Sequence, residues 1–366
     1  MDIRHEFPFF EKTDVTYLDS AATTQKPYKV IDSIVQSYSE FNANPGRGSH
    51  TLSLFATSRY EKAREHVAAF FGCDPDELIF TSGATESLNI IAKNLSPLTR
   101  HVNFATAPFD HHSCILPWFY CYDSEDMTTK PFKSVDVYTV VSNVIGDVKL
   151  PHQEHTEDRV VVADLTQAVA HMPINLHEMN IDCAAFSAHK MYGPMGVGCL
   201  YIKRDLQKYF ININYGGGMV EDLVDEEFRF KSGPQKFEAG TRDVAGVVAL
   251  SAACSFLEQY GWVNITYHEQ DLMDHLLYEL AQDDRIEIYG HNQQSLVSFN
   301  VRGFHSSYVS DHLDGWNIAI RAGHMCALNT MRALDIDSCC RVSLGIYNTH
   351  EDIDYLARSL KELKEE

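Results

Sequence analysis

The chain has 366 residues, 45% of them hydrophobic, 11% aromatic and 22% charged, with a formal net charge of −21. At roughly 150 residues per domain this length suggests two domains with ample core, which excludes a small disulfide scaffold and wholesale disorder. So acidic a surface repels nucleic-acid phosphates and anionic lipid, so neither a nucleic-acid nor a membrane-surface role is expected. The nine cysteines are scattered through apolar segments with no C-x-x-C pair and read as reduced thiols. Met1-Asp2-Ile3-Arg4-His5-Glu6 carries acids from the start and precedes no apolar stretch of signal length, so a cytoplasmic chain is expected.

In chain order, helical spacing covers Ser53–Phe71, a strand covers Leu78–Thr81, and a helix covers Ala84–Leu95. Strand-like runs follow at Val102–Ala105, Val135–Val141, Val160–Ala163, Cys183–Ser187 and Val197–Ile202, and Val244–Tyr260 reads as a helix long enough to bridge two domains. That alternation predicts an α/β layer architecture with a mixed, mostly parallel sheet. After Gly261 the pattern changes to a helix at Glu269–Ala281, strands at Ile286–Tyr289 and Ser295–Val301, a helix at Val309–Gly315, a strand at Ala319–Ala322 and a terminal helix from about His350, a smaller α+β unit. There is no internal repeat, and the charge-dense Glu221–Glu227 and Lys361–Glu366 read as solvated faces.

In such sheets ligands sit at the carboxyl ends of strands. Leu78–Thr81 runs through Ser82-Gly83 into a helix whose free amides, with the Thr85 hydroxyl, suit a phosphate, although such a turn also serves as mere connection. It matches neither G-x-x-x-x-G-K-[ST] nor G-x-G-x-x-G, which disfavours nucleoside triphosphates and dinucleotides. Asp164 ends an apolar strand with Gln167 one turn on; it caps a helix or pairs with a buried cation such as a protonated pyridine nitrogen. Lys190 ends another buried strand beside the glycine-rich Gly193–Gly198 turn, where desolvation would lower its pKa and let it form a Schiff base with an aldehyde. His111-His112 lacks a third ligand at usable spacing and reads as an aromatic platform or packing, and His152-Gln153-Glu154-His155 reads as surface, so no metal is expected.

Taken in order, Tyr17-Leu18-Asp19-Ser20-Ala21-Ala22, Arg47-Gly48-Ser49-His50-Thr51-Leu52-Ser53, Gly83-Ala84-Thr85-Glu86, His111-His112, Val141–Gly146, Ser187-Ala188-His189-Lys190-Met191-Tyr192-Gly193-Pro194, Phe237–Thr241, Arg321–Ala327 and Cys340–His350 run nearly end to end. This set resembles the class V branch of the fold-type I pyridoxal-phosphate enzymes, and within it the Suf-type cysteine desulfurases and selenocysteine lyases. The resemblance implies a large cofactor-binding domain over 16–260 and a small domain formed by 1–15 and 261–366 that carries the cysteine loop. It implies that Lys190 holds pyridoxal 5'-phosphate through a Schiff base and later moves the substrate's Cα proton. Asp164 would pair with the pyridinium nitrogen, Gln167 would bond the phenolic oxygen, and His111 would stack on the ring. Ala84, Thr85, Ser187 and His189 would hold the phosphate, joined by Thr241 from the second subunit of a homodimer. Asn143 and Arg341 would take the substrate carboxylate, and Arg321, His50, Glu86 and His324 would line the rest of the pocket.

Cys326 discriminates among members of the branch. A lone cysteine is ordinarily a small buried hydrophobe, but Arg321 and His324 lie close in sequence, and neighbouring cations favour the reactive thiolate. The resemblance implies that Cys326 attacks the sulfur of L-cysteine, that alanine leaves, and that a persulfide remains for a sulfur-acceptor protein, in iron–sulfur cluster assembly or related sulfur trafficking. The sequence departs from the family pattern at Met325 for a histidine, Asp110 for a glutamate, Ala84 for a threonine, and Leu165-Thr166 in a normally small spacer; Cys114–Val135 and Gly146–Val160 are compressed. A C–S lyase, an aminotransferase, a selenocysteine lyase and a non-catalytic scaffold stay open as alternatives.

Overall fold

The computed structural model describes residues 1, 3–46, 48–121, 130–151, 156, 158–291 and 294–364. The His152–His155 stretch expected at the surface, and Arg47, lie outside the described residues. A short helix α1 (Pro8–Lys12) and strand β1 (Thr16–Tyr17) precede helices α2 (Tyr28–Glu40) and α3 (Thr51–Phe70). Then come β2 (Leu78–Thr81), α4 (Ala84–Leu95), β3 (Thr99–Phe104), α5 (His112–Cys121), β4 (Phe132–Thr139), β5 (Arg159–Asp164), β6 (Cys183–Ser187) and β7 (Gly198–Ile202). A hairpin, β8 (Val220–Val224) and β9 (Glu227–Phe230), leads to α6 (Val244–Tyr260) and α7 (Trp262–Leu280). The remainder is β10 (Ile286–Tyr289), β11 (Leu296–Val301), α8 (Ser306–Asp314), β12 (Ile318–Ala319), β13 (Arg321–Gly323), α9 (Leu328–Ala333), β14 (Cys339–Ser343) and α10 (His350–Lys361).

Six strands form one sheet in the order β2-β7-β6-β5-β4-β3. Strands β3 to β6 run parallel, and β7 is antiparallel to both of its neighbours. The two-residue period of a strand explains how the apolar run at β5 serves both faces. Val160 and Val162 pack with Leu88, Ile91 and Trp118 of α4 and α5, whereas Val161 and Ala163 pack with Val67 and Ala68 of α3 and Leu257 of α6. Covered on both sides, β5 to β7 read in sequence as unbroken apolar runs. The helix α6 packs against α2 and α3, apolar on nearly every face, and Gly261, at φ +74°, turns the chain by 80° into α7. Among the described residues no single helix is long and apolar enough to cross a membrane.

A second sheet, β10-β11-β14-β13, is antiparallel throughout. Leu272 and Leu276 of α7, Val309 and Leu313 of α8, and Ile353, Leu356 and Leu360 of α10 share one apolar cluster with its inner residues. The single strand expected at Ala319–Ala322 is two: β12 pairs with β1, then the chain changes partner and β13 pairs with β14. The first residues join both units. Phe7 meets the rings of Tyr192, Phe256 and Tyr347, and Arg4 pairs with Asp352 of α10 at 2.8 Å. Glu221–Glu227 lies on the exposed β8–β9 hairpin.

Candidate active site

The site is assembled where the parallel strands end. A Cβ on Gly198 would lie 2.4 Å from the Cα of Gly83, so β7 and the turn after β2 touch with no side chain between them. This contact seats the start of α4 at the end of β6, where the Ala84 amide donates to Ser187 Oγ at 2.8 Å. Thr85 Oγ1 and Ser113 Oγ are 2.9 Å apart. The first amides of a twelve-residue helix, with these hydroxyls, form an anion-binding end.

Lys190 sits in the 3-10 turn Ala188–Lys190 that follows β6. The carbonyl of His189 in that turn accepts from the Thr24 amide at 3.1 Å, Thr23 Oγ1 at 3.1 Å and Lys26 Nζ at 2.8 Å. Residues 23–26 therefore clamp the lysine turn. Burial, reinforced by the Arg341 charge, lowers Lys190 to about 8, so a useful fraction of its amine is neutral near physiological pH. Burial lowers Lys26 to about 7.

Asp164, at the last position of β5, is buried, and burial raises its pKa against the opposing Thr166 hydrogen bonds and the Lys190 charge. A carboxylate so placed is stabilised by a cation brought against it. Gln167 donates through Nε2 to the Ala21 carbonyl at 3.0 Å. His111 accepts the Ser113 amide at Nδ1, 3.1 Å away, and burial with the Lys190 charge lowers it to about 4. Its imidazole is neutral, a flat partner for a ring. Arg341 of β14 is buried; it donates to Asp19 Oδ1 and to the Asn143 carbonyl, both at 2.9 Å.

The cysteine loop reaches the same place from the second sheet. Met325 and Cys326 adopt φ of +52° and +54°. The His112 amide donates to the Cys326 carbonyl at 2.8 Å, Asn143 Nδ2 donates to the Met325 carbonyl at 2.7 Å, and the Leu328 amide donates to His112 Nε2 at 3.1 Å. Met325, where the family pattern has a histidine, is buried with Val144, Ile145 and Tyr289 as an apolar anchor for the loop.

A cavity of about 240 Å³ is lined by Ala84, Thr85, His111, Asn143, Asp164, Gln167, Ser187, His189, Lys190, Arg321, Cys326 and Arg341, residues singled out in the sequence. Ala21, Ala22, Ser113, Thr139, Val141, Thr166 and Met325 complete it. The other four lie elsewhere in this chain. His50 caps α3 by accepting the Ser53 amide at 3.3 Å, and His324 accepts the Cys326 amide at 3.2 Å from outside the lining. Glu86 accepts the Ser82 amide and hydroxyl, both at 2.7 Å, and lines a second cavity with Thr241. The sequence reading gave no role to Asp19, which braces Arg341, or to Lys26. Asp19 stood within a matched segment, but no local pattern marked either contact, since each joins positions more than a hundred residues apart.

His189 Nδ1, Asn143 Oδ1 and Arg341 Nε are buried polar atoms without a protein partner. Such atoms are costly unless a ligand satisfies them. An anion-binding helix end, a desolvated amine, a neutral imidazole and a buried carboxylate able to pair with a ring cation together fit pyridoxal phosphate. In the cofactor-free chain His111 stays neutral down to about pH 4, whereas an unfolded histidine protonates near 6.5. The unfolded state then binds more protons between those values, so stability falls on acidification through that window. His111→Phe is expected to flatten the decline of the urea midpoint between pH 6.5 and pH 4; an unaltered slope would show that the imidazole takes its proton while folded.

Fold and site together define a pyridoxal-phosphate enzyme of fold-type I. The chain belongs to the aminotransferase class-V family, whose model matches residues 16–137 and 122–356. A probable cysteine desulfurase of Halalkalibacterium halodurans is 34% identical over 397 aligned positions, covering 100% of this chain and 98% of the relative. A cysteine desulfurase of Escherichia coli is 32% identical, covering 99% and 97%. Among solved structures, the apo cysteine desulfurase of Thermococcus onnurineus superposes with a TM-score of 0.90 at 30% identity, covering 98% of this chain and 96% of that one.

Proposed function

We propose that the chain is a pyridoxal-phosphate-dependent cysteine desulfurase that converts L-cysteine to L-alanine and retains the sulfur as a persulfide on Cys326. The observation that carries this reading is that Lys190, Arg341 and Cys326, drawn from both sheets, line one cavity. When bound, the cofactor supplies an aldehyde for an amine and a ring that withdraws electrons from the substrate's Cα. Asp164 would pair with its ring nitrogen, His111 would stack on the ring, Gln167 would bond its phenolic oxygen, and Ala84, Thr85, Ser187 and His189 would hold its phosphate. Arg341 and Asn143 receive the substrate carboxylate, with Asp19 fixing the guanidinium beforehand. Lys190, once freed, accepts the Cα proton. The Cys326 thiolate forms the S–S bond as the substrate's Cβ–S bond breaks, and the electron pair of that bond returns to the carbon skeleton, which is protonated and released as alanine.

The working unit in this reading is a homodimer. Val35 and Tyr38 of α2 and Leu52, Leu54 and Phe55 of α3 are exposed apolar side chains, the surface an isologous partner would cover. Thr241 would then meet the partner's phosphate. Its loop is held by Glu238, which takes two 2.8 Å bonds from Arg64 and one of 3.0 Å from Tyr60. His50 and Glu86 fall to the same shared region. The short stretch around Cys326 supports a Suf-type reading, in which the chain delivers sulfur to an acceptor protein in the cytoplasm for iron–sulfur cluster assembly or related trafficking. We extend the reading to a large domain over 16–260 and a small one from 1–15 and 261–366.

The test is intact-protein mass spectrometry of the holoenzyme after L-cysteine, with the carbon product identified. One added sulfur mapped to Cys326 and stoichiometric alanine are expected. Pyruvate with an unmodified protein would replace this reading with a C–S lyase.

A further inference from the structure

Among the described residues one cluster has ligand geometry, and it lies away from the cavity, between α7 and α10. His275 and Glu279 stand one turn apart on α7, so both side chains leave the same face. Asp354 faces them from α10, which packs along α7. One ligand atom from each of the three lies within 4.8 Å of the others. His275 Nε2 is 2.7 Å from Asp354 Oδ1. His350, one turn before Asp354, sets its ring 4.7 Å from that of His275 at 67° and is itself held by Asp271 at 3.1 Å.

A hydrogen bond between His275 and Asp354 accounts for two of these groups and leaves the third unexplained. Among the described residues no hydrogen bond or ion pair reaches the half-buried Glu279 carboxylate. Two carboxylates are thereby drawn together in a chain of net charge −21, and among the described residues no lysine or arginine side chain pairs with either. The nearby Arg358 instead donates to the Asp354 main-chain carbonyl at 3.3 Å and lies over the Tyr355 ring. Like charges at this separation repel, and a cation between them relieves the repulsion. One imidazole with two carboxylates is a donor set for a borderline divalent ion, with the His350 ring, kept in place by Asp271, packed behind the ligating histidine.

We propose that His275, Glu279 and Asp354 bind a divalent transition-metal ion of the zinc class, joining α7 to α10 on the small unit. The proposal is independent of the chemistry at Lys190. The test uses full-length holoenzyme carrying Cys326→Ser, so that the reactive thiol is absent, titrated with Co²⁺ and then Zn²⁺. One equivalent of Co²⁺ giving a visible d–d band without thiolate charge transfer, displaced by Zn²⁺, is expected. Zn²⁺ at a hundredfold excess over Kd is expected to raise Tm by about 3 °C. Glu279→Gln keeps the His275–Asp354 hydrogen bond while removing a ligand, and should weaken Zn²⁺ binding at least about tenfold. His275→Ala should abolish the band. Binding unchanged in Glu279→Gln, a band that survives His275→Ala, a thiolate signature, or no Tm shift with Zn²⁺ would each overturn the proposal.

Discussion

Replacing Cys326 by serine is expected to lower sulfide release from L-cysteine under reductant by at least about a thousandfold while leaving cofactor binding intact. Burial drives the Cys114, Cys183, Cys199 and Cys254 thiols well up, and Cys339 and Cys340 are buried within β14 of the second sheet. Of the cysteines, Cys326 alone lines the cavity. The serine should leave the loop in place, because its left-handed residues are held through main-chain atoms by His112 and Asn143 rather than through the sulfur. Steady-state alanine and sulfide rates, with the visible spectrum as the binding control, decide the matter. A mutant that still makes both products at the wild-type rate would eliminate the persulfide route. Selenocysteine provides the contrast: its labile selenium lets cleavage persist without the thiol, so a mutant active on selenocysteine alone is expected of this chemistry.

The second large effect is at Lys190. Lys190→Ala is expected to abolish the visible band of the covalently held cofactor and to reduce turnover by more than about ten-thousandfold. Among the described residues no other lysine lines the cavity. Lys26, also desolvated, spends its ammonium on the Thr24 carbonyl at 2.5 Å and the His189 carbonyl at 2.8 Å. A colourless wild-type protein that fails to take up pyridoxal phosphate would instead support the scaffold reading. The same lysine gives the cofactor-free chain a pH signature. Its folded pKa of about 8 lies below the usual 10.5. Below pH 8 both states are protonated and the cost of burying the charge is fully present. Between pH 8 and pH 10.5 the unfolded chain keeps a proton that the fold has released, so stability rises with pH. Lys190→Met should remove that rise in a urea-midpoint series measured on cofactor-free protein.

The elements read correctly from sequence are those with strong local periodicity. The ranges 78–81, 84–95, 183–187, 244–260 and 286–289 are found where the apolar pattern placed them. The helices α2 and α5 were not anticipated. Ile31, Val35 and Tyr38 of α2 lie exposed rather than marking a buried stripe, and α5 contains Pro117, which argues locally against a helix. Two isolated partner choices also escaped, the split of β12 from β13 and the recruitment of Cys339–Ser343 as a central strand of the second sheet.

Asp164, Ser187 and Lys190 could be found in sequence because each follows a short apolar run, and strand ends in a parallel sheet face the ligand. What they meet there could not. Arg341 paired with Asp19, Lys26 closing on the His189 carbonyl, and Met325 anchoring the cysteine loop beside Asn143 are contacts between distant stretches of chain. Residue order by itself determined the strongly periodic elements, the family and the candidate chemistry. Tertiary structure alone decided which of those groups share a cavity, because strand pairing and core packing, not sequence separation, set the distances over which charge, desolvation and hydrogen bonds act.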